Sequence, residues 1–166
     1  MGSERGQAAV EMALLVPVLV TLLMMVLEGG LFLGEYVSVV NSARESARYL
    51  LDGGSDTDLA SLAPYNARGL ATDPAHFDVW VIRGQTDSSG NVTFTSTTHP
   101  LGNGPAQPLL SAAAVQQRLA GSGAGTAANL KFIAVEVAYR HQGLTGTLAL
   151  PSGALTLRAD SLVRRL

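Results

Sequence analysis

The chain has 166 residues, a formal net charge of -2, 47% hydrophobic but only 5% aromatic residues, and no cysteine. This length allows one domain besides an anchor. The lack of cysteine excludes a disulfide framework and thiolate chemistry, and a slightly acidic chain without a basic run excludes general affinity for nucleic acid.

The first element is the stretch Arg5 to Gly34, RGQAAVEMALLVPVLVTLLMMVLEGGLFLG, with no charge between Met12 and Leu27. It is apolar all round, as in a buried core helix or a membrane span. No other segment is as long and apolar, so a membrane span is predicted. Secretory signal removal is disfavoured, because the apolar run is too long and no A-x-A-like site follows it. Arg5 precedes the span and the next basic residue is Arg44. A short cytoplasmic N-terminus with the C-terminal part outside is therefore expected. Glu11 lies at the start of the run, where an acid costs about 2–3 kcal/mol if it reaches bilayer depth. Its spacing allows either an interfacial acid reaching toward water or a partner for a positive charge one turn away.

The helix is predicted to run on past the membrane. Tyr36, Val40, Ala43, Ala47 and Leu50 recur at helical spacing, with Ser38, Glu45 and Asp52 on another face, and Asp52-Gly53-Gly54 supplies the stop. That makes one helix of roughly 45 residues, about 65 Å long. Pro17 removes one N–H from its ladder, so a kink or local melting is expected there. Gly30, Gly34, Ser38, Ser42 and Ser46 form a stripe of small residues every four positions. Such a stripe either admits another helix closely or packs on the chain's own sheet.

Ser55-Asp56-Thr57-Asp58 reads as a helix start, followed by Leu59, Leu62, Ala63, Asn66, Ala67 and Leu70 at helical spacing, with Pro64 expected to break the stretch into two short pieces. Phe77 to Arg83 and Val92 to Thr98 are strand candidates joined as a hairpin by Asp87-Ser88-Ser89-Gly90-Asn91; Trp80 is expected to be half-buried on this sheet. Gly102 to Pro105 is a loop, Ser111 caps a helix through Leu119 closed by Gly121, and Gly121 to Gly125 is a linker. In Lys131 to Arg140, Ile133, Val135, Val137 and Tyr139 face one way and Phe132, Ala134, Glu136 and Ala138 the other. Leu155 to Arg164 alternates as a last strand, after a connection holding Pro151 and Gly153. The fold class is α+β: a long N-terminal helix on a small antiparallel sheet of about four strands, with short extra helices.

The residues Gly6-Gln7-Ala8-Ala9-Val10-Glu11 resemble the cleavage site of type IV prepilin-like proteins. The longer pattern RGQAAVEMALLVPVLVTLLMMVLEGG with NSARESARYL from Asn41 to Leu50 resembles the TadE-like pseudopilins of the tight-adherence (Flp) pilus system. Gly6, Glu11, Pro17 and Glu28 fall where that family has them; Met12 and Gly29 stand where it commonly has aromatics. The resemblance implies a pilin-like plan and a prepilin peptidase cut between Gly6 and Gln7. It also implies that Glu11, fifth in the processed chain, compensates a Gln7 amine. It divides the chain into a leader at 1–6, a span at 7–34, a helical extension at 35–52 and an extracytoplasmic domain at 53–166. The implied partners are the membrane, the prepilin peptidase, other pilins or pseudopilins, the pilus assembly platform and further copies of the chain.

No enzyme is expected. His76, His99 and His141 are scattered, no serine has a G-x-S-x-G context and no phosphate-binding loop is present. No cofactor or metal is implied; Asp52, Asp56 and Asp58 lack the EF-hand pattern. Two functions fit: a minor pilin or pseudopilin in pilus biogenesis and surface adhesion, with Glu11 and Pro17 serving assembly and Gly30, Gly34 and Ser38 helix packing; or a single-pass anchored extracytoplasmic binding module outside any pilus.

Overall fold

The computed structural model describes residues 3–67, 74–102, 107–121, 128–141 and 155–165. The expected loop at Gly102–Pro105, the linker at Gly121–Gly125, the Pro151–Gly153 connection and Leu70 fall wholly or partly outside these residues.

One helix, α1 (Ser3–Leu51), takes up the first third of the chain. At 49 residues it is roughly 74 Å long at ~1.5 Å per residue. It is unbroken through Pro17, so the local melting expected there does not occur. It stops where the sequence says: Gly53 adopts φ 92°, Gly53 N–H donates to Leu50 O at 3.3 Å and Gly54 N–H to Tyr49 O at 3.0 Å. A left-handed residue just past the last turn is open to glycine at no steric cost.

A short 3-10 turn (Asp56–Asp58), capped by Ser55 Oγ, leads into α2 (Leu59–Asn66). Pro64 does not break α2; it lies inside it, buried, two residues from the end. A proline that near the C-terminus costs one N–H donor in a helix that is about to stop anyway, and the close of the helix is made by Ala67 N–H on Ala63 O at 3.2 Å.

The strands are β1 (Phe77–Thr86), β2 (Val92–Leu101), β3 (Lys131–Arg140) and β4 (Thr156–Arg165), with α3 (Ala112–Gly121) between β2 and β3. They form one antiparallel sheet in the order β2-β1-β3-β4. The expected hairpin is present: Asp87 accepts from Ser89 and Asn91 N–H at 2.8 Å each, and Gly90 turns at φ 82°. Gly84 sits at a register shift in β1, under the ring of Phe132; a Cβ there would lie 2.3 Å from that ring and 2.6 Å from Thr93 O.

The alternation of β3 decides the layers. Ile133, Val135, Val137 and Tyr139 join Phe77, Val79 and Val81 in a core closed by Val39, Ala43, Ala47 and Leu50 of α1 and Leu59 and Ala63 of α2. On the opposite face Phe132, Ala134 and Ile82 pack with Val115 and Leu119 of α3. The sheet is therefore covered on both sides, and Trp80, expected to be half-buried, is 1% exposed. Each large apolar side chain buried this way contributes about 1.5–3 kcal/mol, and Ala43 and Ala47 let α1 lie close on the strands.

Candidate assembly helix and its junction with the domain

Residues 6–27 of α1 touch nothing: every one of them is exposed, Leu14 and Val26 to 70% and 72%. The helix is long and apolar enough to cross a membrane. Gly6 lies in open space. One turn on, Gln7 Nε2 donates to Glu11 Oε1 at 3.1 Å, so residues 7 and 11 share a face, and a charge on either is within reach of the other. Pro17 lies eleven residues above Gly6; Thr21, whose own N–H it does not disturb, donates its hydroxyl to Pro17 O at 2.8 Å. Folding a hydroxyl back on the preceding turn satisfies it without water.

The small-residue stripe splits in two. Gly30 and Gly34 face open space, and Ser38 donates to Gly34 O at 2.9 Å. Ser42 and Ser46 are fully buried, and Ser42 Oγ donates to Ala63 O of α2 at 2.7 Å. Its upper half thus packs on the chain's own domain and its lower half is bare. The buried face of the extension also differs from expectation: Val39, not Tyr36 or Val40, is fully covered, and Tyr36 is 46% exposed.

Glu28, Phe32, Glu35, Val39, Ser42 and Ser46 turn toward the domain, stepping alternately by four and three along α1, with Ala43, Ala47 and Leu50 beside them. That spacing is one helix face, and it is the signal by which the junction could have been found. Glu28 is 1% exposed. Glu35 contacts His141 Nδ1 just beyond β3, Phe32 sits edge-on to the same imidazole at 5.5 Å between centroids, and His141 N–H donates to Leu155 O at 2.8 Å. Burial, and after it the Glu35 charge, pushes the Tyr139 hydroxyl above its ordinary pKa. Sequence reasoning passed over Glu35 and His141 because 106 residues separate them.

The three histidines of the domain each meet a neighbouring side chain. His99 stacks on Trp80 at 4.6 Å and lies 3.6 Å from Asp78, His76 meets the edge of Tyr139 at 6.4 Å, and His141 holds Glu35. Among the described residues no three His, Asp or Glu gather as a metal site. Surface depressions of about 290 and 200 Å³ are lined by Arg118 and its neighbours on α3 and β4, where Arg118 pairs with Asp160.

A helix that is bare and apolar for its first half and then forms one wall of a small α+β domain defines an anchored, pilin-like architecture. Residues 6–48 match the family of TadE-like protein. Over α1 the chain is similar to TadE-like proteins, which suggests a component associated with the tight-adherence pilus. No curated protein and no solved structure matches the chain.

Proposed function

We propose that the chain is a minor pilin or pseudopilin, without enzymatic activity, that takes part in biogenesis of a tight-adherence pilus and in surface adhesion. It enters the cytoplasmic membrane with its N-terminus inside and its domain outside, and prepilin peptidase cuts it between Gly6 and Gln7. Other pilins or pseudopilins, the assembly platform and further copies of the chain are its partners. The observation that carries this reading is the bare apolar helix from Gly6 to Leu27, which lies within the residues 6–48 that match the TadE-like family; the resemblance adds Gly6, Glu11 and Pro17 as its site residues.

The cut frees the Gln7 amine, and an α-amine is charged in water at neutral pH. Glu11 sits one turn away, about 6 Å along the axis. In an assembly the same carboxylate serves the amine of an adjacent copy, in surroundings where an unpaired charge is costly. Gly30, Gly34 and Ser38 offer a surface on which another helix can approach closely.

The test is the abundance of processed protein in the pilus fraction for wild type, Glu11→Gln and Glu11→Asp, with intact mass reporting the cut. Glu11→Gln keeps the shape, loses the charge and is expected to be processed but poorly incorporated, with Glu11→Asp between the two. A mature mass that still includes Met1 to Gly6, or wild-type incorporation of Glu11→Gln, would overturn the assignment of that site.

A further inference from the structure

The distribution of exposed charge along α1 carries information about depth. The hydrocarbon core of a bilayer is about 30 Å thick, roughly 20 helical residues, and the whole bilayer with its headgroups about 40–45 Å. Counted from Glu11, the core would end near Leu31. The exposed surface of the helix does not become polar there. Leu31, Leu33, Tyr36 and Val37 are 47%, 64%, 46% and 57% exposed. The acids that interrupt the sequence are turned away: Glu28 is buried, and the Glu35 side chain is 18% exposed and held by His141. Between Glu11 and Asn41 the exposed polar side chains are Thr21, whose hydroxyl is folded onto Pro17 O, and the amphipathic Tyr36; the next is Asn41, and the first exposed charge is Arg44. Thirty residues separate Glu11 from Asn41, about 45 Å of helix, or about 42 Å across the membrane at a typical ~20° tilt. That is the thickness of the bilayer with both headgroup layers.

The domain begins well inside that distance. Glu28, Phe32 and Glu35 are its lowest contacts on α1, and His141, Leu155 and Thr156 lie at the same end of the sheet, where Thr156 pairs with Arg140. We infer that the domain is not held off the membrane on a helical stalk but is seated in the outer headgroup layer: the exposed face of α1 at Leu31, Leu33, Tyr36 and Val37 and the sheet end carrying His141 and Thr156 contact lipid headgroups. Tyr36 then stands where amphipathic rings collect at membrane interfaces, and Ser38 closes its hydroxyl on its own helix, as a serine does where water is scarce. The lipid is the occupant because this apolar surface continues without a break from the span below it. The inference rests on the anchored, domain-outside reading above.

The chain has no cysteine, so single cysteines report cleanly. Leu19→Cys, Val37→Cys, Thr156→Cys and, at the far hairpin, Ser89→Cys are labelled with an environment-sensitive fluorophore. Each full-length chain is placed in phosphatidylcholine vesicles at fewer than one chain per vesicle. Nitroxides on the acyl chain or on the headgroup, and aqueous iodide, are the quenchers. The expected result is quenching of Leu19 by the acyl-chain nitroxide and of Val37 and Thr156 by the headgroup nitroxide, with iodide quenching of those two several-fold below that of Ser89. Val37 and Thr156 as open to iodide as Ser89 would mean a stalk and overturn the proposal. Shielding of Val37 from both iodide and nitroxide would mean a protein neighbour and overturn it equally. Failure of the acyl-chain nitroxide at Leu19 would overturn the anchored reading itself.

Discussion

Replacing Glu136 by alanine is expected to destabilise the domain by about 3–4 kcal/mol, in the lower part of the range for breaking a buried ion pair. Its side chain is 4% exposed, between β3 and the segment that leads into α3. Oε1 accepts from Arg158 Nη1 at 2.8 Å and from Leu109 N–H at 3.2 Å; Oε2 accepts from Leu110 N–H at 2.9 Å. Arg158 lies in turn over the Trp80 ring, 5.6 Å from its centroid. Removing the carboxylate strands a guanidinium and two amides at once. Each buried amide left unsatisfied costs about 1–3 kcal/mol, but these losses overlap with that of the pair, and Arg158 retains 22% exposure, through which water relieves part of the loss. Glu136→Gln keeps one acceptor oxygen and is expected to cost about half as much. Glu136→Leu combined with Arg158→Met removes both charges and is expected to recover most of the stability lost in Glu136→Ala, because no uncompensated charge remains. Urea unfolding of the full chain in detergent micelles, followed by the fluorescence of Trp80, the one tryptophan, measures all three. A loss below about 1 kcal/mol for Glu136→Ala would place the pair with exposed ion pairs and refute the reasoning.

Three further outcomes follow from named contacts. Nothing lies within 4 Å of a Cβ at Gly30 or Gly34, so replacing both by leucine is expected to leave the unfolding curve unchanged while abolishing cysteine crosslinks between copies at neighbouring positions; unchanged crosslinking would remove these glycines from any helix contact. Gly84→Ala drives a methyl toward Phe132 and the Thr93 carbonyl and is expected to cost about 1–3 kcal/mol, read by the same urea curves. Asp56 is held below its ordinary pKa by Arg83, which donates to Oδ2 at 2.6 Å, and by the Thr98 hydroxyl at 2.7 Å, against the opposing effect of burial. A depressed carboxylate contributes stability that is present above its unfolded pKa of about 3.9 and is lost as pH falls through the folded value. Asp56→Asn is therefore expected to be less stable than wild type at pH 7, with the gap closing below about pH 4 in thermal melts; a constant gap would show that the charge is not what Asp56 contributes.

Elements whose signal is local were legible in the sequence. Lys131–Arg140 was bounded correctly because strict alternation over ten residues has one reading, and the end of α1 because Gly53 is free to adopt the left-handed turn that closes it. Along the extension of α1 the expected face holds at Ala43, Ala47 and Leu50, whereas at its lower end Val39 is covered in place of Tyr36 and Val40, because apolar residues there stand on more than one side. β1 runs to Thr86 rather than Arg83, since Gly84 and Gln85 are poor strand formers held there by pairing with Phe132 and Lys131. Trp80 is covered by the His99 ring of β2 stacked on it and the Arg158 guanidinium of β4 over it, contacts across the sheet that no periodicity encodes. The N-terminal helix was the most readable element, since its apolar character lies in one continuous run of the sequence.

That continuity bears on how the two halves of α1 work together. The same 49 residues are anchor below and core helix above, and the upper half is fixed to the domain at three heights: Glu35 on His141, Ser42 on Ala63, and Val39, Ala43 and Ala47 on the sheet. A helix held this way cannot rotate or slide under its domain without giving up buried contacts, so a displacement of its upper half is carried into the domain as a rigid movement. The weak place in the ladder is Pro17, which lacks an N–H and lies in the bare stretch, six residues above Glu11 and eleven below Glu28. Bending to fit a neighbour is therefore directed to the segment between the assembly acid and the domain, where no tertiary contact opposes it. Glu28 and Glu35 are compatible with an apolar helix because they are turned in toward the domain: Glu28 is 1% exposed and Glu35 meets His141.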